Sequence, residues 1–241
     1  MRSYQFPVAL VLTTLLLAAC GKESATQTKP IVLDPPTSTT IGVPMPMPEV
    51  GGAVDPSRAV LTRAIAAFKA MPAYEAKMSF MQKNGANAVK GMYALGGKQP
   101  RTLRLFVETG TGEGTKLLWQ GGEKVHVRPA GFLSAVTIDL PQSDERLKSV
   151  RGYVLSDTDI PAMFTCLSDP ANTLAPPQQT ADGVQLHCTG HKFPKGVVAM
   201  NGVFDPVTML PRKVEMMDSK EVVLRFVITG MTRKNDISLS I

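Results

Sequence analysis

The sequence predicts an α+β fold in which about ten antiparallel strands form a sheet and two helices are inserted. Apolar and polar side chains alternate over several segments, as in residues 74–80, and this period of two is typical of strands with one buried face. Dipeptides such as Asn84-Gly85 and Gly121-Gly122 separate successive segments and are typical of tight hairpin turns. Two other segments repeat apolar residues at helical spacing, which predicts the helices.

The first helix is expected to begin at residue 56. Asp55 is a suitable N-cap, and proline is favoured at the first helical position, which Pro56 would occupy. Leu61 and Phe68 recur on one face of the segment, and Pro72 ends it because proline cannot continue a helix.

The predicted strands follow and are interrupted once by the second helix. That helix is expected to begin near Asp157 or Asp159, with Ile160, Met163 and Leu167 on one face. The predicted strands are residues 74–80, 88–95, 101–107, 116–120, 124–128, 136–140, 184–189, 197–204, 212–217 and 221–229.

Residues 1–19 have the features of a secretory signal: a basic start at Arg2, an apolar stretch and small residues at the end. The apolar stretch, residues 8–17, is shorter than the roughly 20 residues that an ordinary spanning helix needs. The tetrapeptide Leu17-Ala18-Ala19-Cys20 resembles the bacterial lipobox, the recognition motif of lipoprotein signal peptidase. The resemblance implies that Cys20 carries a diacylglyceryl thioether and begins the mature chain. A soluble exported protein with an incidental cysteine is the alternative.

Residues 20–56 are expected to form the lipidated N-terminus and a disordered tether, leaving residues 57–241 as one folded domain. Seven of the nineteen prolines lie between residues 21 and 56, and this segment has no aromatic residue. Such a composition cannot bury enough apolar area to offset the entropy lost on ordering. The folded domain is therefore expected to work close to a membrane.

Charge and motifs exclude several classes of function. The chain has 26 basic and 20 acidic residues, a formal net charge of +6, and the two signs are interleaved. This pattern, together with export, argues against a nucleic-acid partner. Neither a Gly-x-Ser-x-Gly elbow nor a His-Glu-x-x-His motif occurs, so the sequence predicts a protein that is not an enzyme and needs no cofactor.

Two cysteines remain once Cys20 is assigned to the lipid anchor. Cys166 and Cys188 form an even pair in an oxidising compartment, which predicts a disulfide between them. Two buried free thiols are the alternative. A metal site built from these cysteines with His187 and His191 is disfavoured because the spacing matches no known ligand pattern, so no metal is predicted.

The order of these elements resembles that of the LolA/LolB-like lipoprotein-carrier superfamily. Residues 203–215 resemble the family's penultimate hairpin, with an Asp205-Pro206-x-Thr208-x-x-Pro211 turn followed by a basic residue, and residues 117–127 are similar to its central hairpin. The resemblance covers about residues 57–230. It implies an incomplete, strongly curved barrel whose concave face is covered by helices and holds acyl chains.

Alternation within the strands predicts which side chains line that cavity, although a register slip of one residue would reverse the assignment. Several are methionines, whose flexible thioethers suit varied acyl chains; ordinary core filling is the alternative interpretation. The residues expected to share the ligand-binding face are Met78, Phe80, Leu103, Leu105, Trp119, Val203 and Met216.

The sequence therefore predicts a monomeric, membrane-anchored envelope lipoprotein that binds lipid or lipoprotein acyl chains for transport or sorting. The alternative is an interaction or sensor module with a self-filled core that binds an envelope protein partner. An Asp directly after the lipidated cysteine would resemble the inner-membrane retention signal of enteric bacteria. Gly21 occupies this position instead, which favours the outer membrane, facing the periplasm. Membrane-docked receptors of the family carry an exposed apolar residue on a protruding loop; the only apolar loop tip that the sequence predicts here is Phe132-Leu133.

Overall fold

A computed structural model of the 241-residue chain describes residues 55–241. The predicted signal, Cys20 and all but the last two residues of the predicted tether lie outside these described residues. The part of the chain that is described contains no helix both long enough and apolar enough to span a membrane.

One antiparallel sheet organises the described residues. Its strands are β1 Ala73–Asn84, β2 Asn87–Lys98, β3 Thr102–Thr109, β4 Lys116–Trp119, β5 Lys124–Arg128, β6 Ile138–Pro141, β7 Thr173–Leu174, β8 Gln178–Thr180, β9 Gly183–Thr189, β10 Ala199–Phe204, β11 Pro211–Met217 and β12 Val222–Lys234. Their order is β6-β5-β4-β3-β2-β1-β12-β11-β10-β9-β7, with β8 paired to β9 alone. Because β6 and β7 stand at opposite ends of this order, the sheet is not closed into a barrel.

The α+β fold class is confirmed, with twelve strands where about ten were expected. The two additional strands are β7 and β8, of two and three residues. Segments this short carry no measurable alternation, so periodicity cannot find them. They form because β9 offers them a backbone edge to pair with.

Three α-helices lie in the described residues: α1 Pro56–Lys69, α2 Leu155–Thr158 and α3 Ile160–Ser168. The Asp55 carboxylate accepts a hydrogen bond from the Ser57 amide at 2.9 Å, so it caps α1 as expected. Asp159 caps α3 in the same way, accepting from the Ala162 amide at 2.8 Å. A 3-10 turn at Gly131–Ala135 precedes β6.

The helices α1 and α3 pack against one face of the sheet, which we call the inner face; the other is the outer face. The main core cluster lies between helices and inner face and joins side chains from both layers. Its buried members include Leu61, Ala64 and Phe68 of α1, Met163, Phe164 and Leu167 of α3, and Leu186, Cys188, Met200, Phe204, Val214, Met216, Leu224 and Phe226 of the sheet.

The hairpin of β10 and β11 has the turn that its sequence predicts. The Asp205 carboxylate accepts hydrogen bonds from the amides of Val207, at 2.9 Å, and Thr208, at 2.7 Å. Met209 completes the turn with a φ of 59°, a left-handed conformation that is uncommon for a residue other than glycine. The Asp-Pro-x-Thr pattern therefore marks a side-chain-stabilised turn.

Candidate ligand-binding face

The strand register places six of the seven predicted ligand-binding residues on the inner face. Phe80 and Met78 lie opposite Phe226 and Ile228 of β12, and Leu105 lies opposite Leu95 of β2. The remaining pairings link Leu103 to Trp119 across β3 and β4, and Met216 to Leu224 across β11 and β12.

Val203 is on the other side of the sheet, so its predicted place on the shared face is wrong. It pairs with Lys213 of β11 and Gln185 of β9, both of which point to the outer face. The error has a physical reason: five of the six residues of β10 are buried, on both faces, so burial does not alternate along this strand. The inner-facing residue beside it is Gly202, against which Phe204 and Leu167 pack.

Side chains of the protein itself fill the inner face. Trp119 and Met216 are each 1 % exposed and Leu105 is 7 % exposed. The Trp119 indole N–H, a polar group that needs a partner when buried, donates to the Gly122 carbonyl at 2.6 Å. Phe80 is half-buried and stacks on Tyr93, with ring centroids 4.5 Å apart and planes 9° apart.

A row of aromatic rings connects the helices to the sheet. Phe68 of α1 lies 5.3 Å from the ring of Tyr74 and 5.6 Å from that of Phe164 in α3, measured between centroids. Phe164 in turn lies 6.1 Å from Phe204 of β10. Contacts between rings stabilise a fold beyond the effect of the apolar area that each ring buries. This row therefore stabilises the packing of the helices against the sheet.

A small cavity remains at the edge of this core, where the loop between β2 and β3 approaches α3. Its volume is about 10 Å³, and its walls include Phe68, Tyr74, Arg101, Leu103 and Pro161. That is close to the space that a single water molecule needs. In this conformation the cavity is too small for an acyl chain.

An ion pair between Arg101 and Asp159, which we call the clasp, closes the core beside this cavity. The Arg101 Nε lies 2.9 Å from Asp159 Oδ2 and its Nη2 lies 3.1 Å from Oδ1, so the pair is bidentate. Arg101 Nη2 also donates to the Ser156 carbonyl at 3.0 Å, and the guanidinium lies 5.1 Å from the Trp119 ring centre. The hydrogen bond to Asp159 is the main cause that raises the pKa of Arg101.

The clasp connects the sheet to the helical layer. Arg101 belongs to the loop before β3, and the side chain of Asp159, which is 4 % exposed, caps α3. Tyr74 lies beside the clasp and over Gly97, so close that a Cβ atom at position 97 would overlap its ring. Burial raises the pKa of Tyr74, and the negative charge of Asp159 raises it further. Asp159 was recognisable from the sequence as a helix start, whereas its pairing with Arg101 was not, since the two residues are 58 positions apart.

Cys166 and Cys188 are neighbours in the core. Cys188 of β9 is fully buried, and the half-buried Cys166 of α3 packs against the same cluster. Both are free thiols in this structure. Burial raises the pKa of Cys188 to about 11, and the nearby Cys166 adds to the shift. Thiols with raised pKa values react slowly, because the thiolate is the nucleophile.

The disulfide between these cysteines stays a prediction. Burial of Cys188 in the folded domain limits when the bond can form. If the bond forms, we expect it before folding of the exported chain buries Cys188. Non-reducing peptide mapping of exported protein should then link Cys166 to Cys188. Two thiols that an alkylating agent modifies only after unfolding would contradict the prediction.

The histidines considered for a metal site and the predicted apolar loop tip lie apart from the inner face. His187 hydrogen-bonds Asn201 at 2.7 Å on the outer face, and residues 55–241 include no group of three His, Cys, Asp or Glu side chains placed to hold a metal. Phe132 is exposed by 79 %, as the apolar tip suggested. Val207, in the turn before β11, is exposed by 86 %, so Phe132-Leu133 is not the only apolar tip.

Comparison with known proteins found similar solved structures at low sequence identity. No protein-family model and no curated protein matches the sequence. Among solved structures, a DUF1329 family protein from Desulfovibrio piger is 11% identical, with 77% of this chain and 96% of that one covered and a TM-score of 0.44. A LolA superfamily protein from Nitrosomonas europaea is 11% identical over 77% of this chain and 96% of its own, with a TM-score of 0.38. The Mycobacterium tuberculosis lipoprotein LppX is 9% identical over 76% and 99%, with a TM-score of 0.44.

A LolA superfamily protein is thus among the solved structures to which this chain is similar. With TM-scores below 0.5, these similarities carry no argument about function, and the functional inference rests on the residues of this chain.

Proposed function

We propose that this chain is a membrane-anchored lipoprotein of the bacterial envelope, and that its domain binds lipid or lipoprotein acyl chains between the inner face and the helices. The observation that supports this best is the construction of the inner face. It is apolar, rich in methionine, and covered by two helices, and one polar clasp closes it at an edge next to a small cavity.

Methionine makes such a face adaptable. Met71, Met163, Met200, Met209 and Met216 are all buried in the main cluster. Their unbranched thioethers change conformation at low cost, so they can repack around an inserted chain. A core of branched residues would resist the same change, because each branched side chain has fewer rotamers to move between.

Ligand entry requires the clasp to open. Breaking the contacts of Arg101 with Asp159 releases the start of α3 from the sheet and lets the helix move away from the inner face. Burial of an acyl chain contributes about 0.8 kcal/mol per methylene group, so a chain of many methylenes offsets the loss of one ion pair and several ring contacts. No cofactor takes part in this exchange.

Native mass spectrometry of the full chain tests the proposal. The Cys20→Ala variant, which would lack the anchor, is purified from the periplasm without detergent and analysed intact and after lipid extraction. We expect an added mass that organic extraction releases as lipid. Protein at its apo mass, which also fails to bind a fluorescent fatty acid, would contradict acyl binding.

The anchor itself is tested by fractionation of cells. Replacement of Cys20 by alanine removes the thiol that would carry the lipid, and we expect the variant to leave the detergent phase in which the lipidated protein collects. Ala19→Ser, which keeps a small residue before the cysteine, serves as the control and should stay with the membrane. Retention of Cys20→Ala in the detergent phase would show that another part of the chain holds the protein there.

The second candidate is an envelope module that binds a protein partner and carries no lipid. The filled inner face favours it, since Trp119, Met216 and Leu105 are already buried by the protein's own side chains. The two candidates differ in one measurable respect. A carrier exchanges an acyl probe and is stabilised by it, whereas the module's unfolding midpoint does not respond to the probe.

A further inference from the structure

A second depression lies on the outer face, away from the helices. It is an open groove with a volume of about 380 Å³. The strands that form it are β1, β2 and β12, at the centre of the sheet, with one residue from β3. Its walls consist of Ser79, Met81, Lys90, Met92, Thr109, Arg225 and Val227, together with Phe80 and Gly91.

The register explains why the groove exists. On the outer face Ser79 of β1 lies between Met92 of β2 and Val227 of β12, its two cross-strand partners. A small side chain between two larger ones leaves a hollow in the surface of the sheet. The next outward-facing residue of β1, Met81, lies between Lys90 and Arg225 in the same manner. The groove thus has a floor at Ser79 and cations at one end.

The groove presents large apolar side chains to solvent. Met92 is 41 % exposed, and Phe106, on the outer face of the adjacent β3, is 38 % exposed. Single exposed apolar residues are common, but several together beside a hollow indicate a contact surface. Apolar walls favour a hydrocarbon ligand.

The charge at the end of the groove is positive. Arg225 Nε lies 2.7 Å from Glu215 Oε1 and keeps 46 % of its side chain exposed. Lys90 is exposed and pairs with no acidic side chain of residues 55–241. This ammonium and the partly compensated guanidinium lie on either side of Met81 and fit an anionic group, because both can donate to phosphate oxygens.

We propose that the outer-face groove binds an anionic phospholipid at a membrane surface. Part of the acyl chain lies over Ser79 against Met92 and Val227, and the phosphate contacts Lys90 and Arg225. This site is separate from the inner face, so it does not require the clasp to open. It would hold the outer face of the sheet against the bilayer.

Vesicle binding tests this site in the full chain with Cys20 replaced by alanine, which removes any contribution of the anchor. Vesicles contain either phosphatidylcholine alone or a mixture with phosphatidylglycerol, and bound protein is measured by co-sedimentation. We expect binding to the mixture that weakens as salt is added. The Lys90→Glu change should lower the partition coefficient about tenfold. Ser79→Phe, which fills the floor, should lower it as well, and Met92→Ser gives a second test if Ser79→Phe does not fold.

The matched control is Lys124→Glu, which makes the same change of charge on the outer face of β5. It should leave most of the binding intact. Equal losses for Lys90→Glu and Lys124→Glu would show attraction to net charge only and would overturn the site. A concentration-dependent dimer that Ser79→Phe dissociates would also overturn it, because the groove would then hold a second copy of the chain.

Discussion

Replacement of Leu105 by glutamate is expected to reduce the free energy of unfolding by about 4 kcal/mol. Leu105 is 7 % exposed and packs in an apolar cluster with Ala76, Leu95 and Ile228. The change therefore buries a charge without a partner, and protonation of the carboxyl would relieve only part of the cost. Urea unfolding followed by circular dichroism measures the loss.

Two comparisons make this result informative. Leu105→Met keeps the volume and should cost less than about 1.5 kcal/mol. Phe80→Glu should cost less than Leu105→Glu, because Phe80 is only half-buried and its ring packs at one side on Tyr93. Near wild-type stability of Leu105→Glu, combined with loss of fatty-acid binding, would mean that the inner face is open to water at this position in solution.

The second large effect is expected at the clasp. Asp159→Ala removes the bidentate pair with Arg101 and the cap of α3, and we expect a loss of about 2 kcal/mol in stability. The Arg101 side chain is 40 % exposed, so solvent screening limits the contribution of the ion pair to the free energy of unfolding. If ligand entry needs α3 to move, the same variant should bind a fluorescent fatty acid faster than wild type, as measured by stopped flow.

Asp159→Asn separates the two roles of this side chain. The amide oxygen can still accept from the Ala162 amide and cap α3, while the charge that holds Arg101 is lost. We expect an increased rate of probe binding with a smaller loss of stability than for Asp159→Ala. An unchanged rate in both variants, despite lower stability, would assign the clasp a structural role only and would remove the proposed opening mechanism.

Local features of the fold were accessible from the sequence because they depend on neighbours along the chain. The cap of α1 needs only Asp55 and the amide of Ser57, two residues further on. The turn before β11 depends on Asp205 and amides two and three residues away. Alternation over residues 74–80 and the Asn84-Gly85 turn likewise predicted β1 and its hairpin with β2, in which Asn84 pairs with Asn87.

The functional surfaces depend on contacts between residues that are far apart in the sequence, which no local pattern predicts. The clasp joins residues 58 positions apart, and the outer groove needs β1 beside β12, where Ser79 meets Val227. Val203 was assigned to the wrong face because β10 is buried on both sides, so only its pairing with β9 and β11 decides the direction of each side chain. The sequence by itself determined the longer helices and strands, their caps and their turns, since these are set by backbone and side-chain preferences over a few residues. Tertiary structure alone decided which side chains meet, because the burial of apolar surface from distant strands and helices selects one register and one packing among those that local preferences allow.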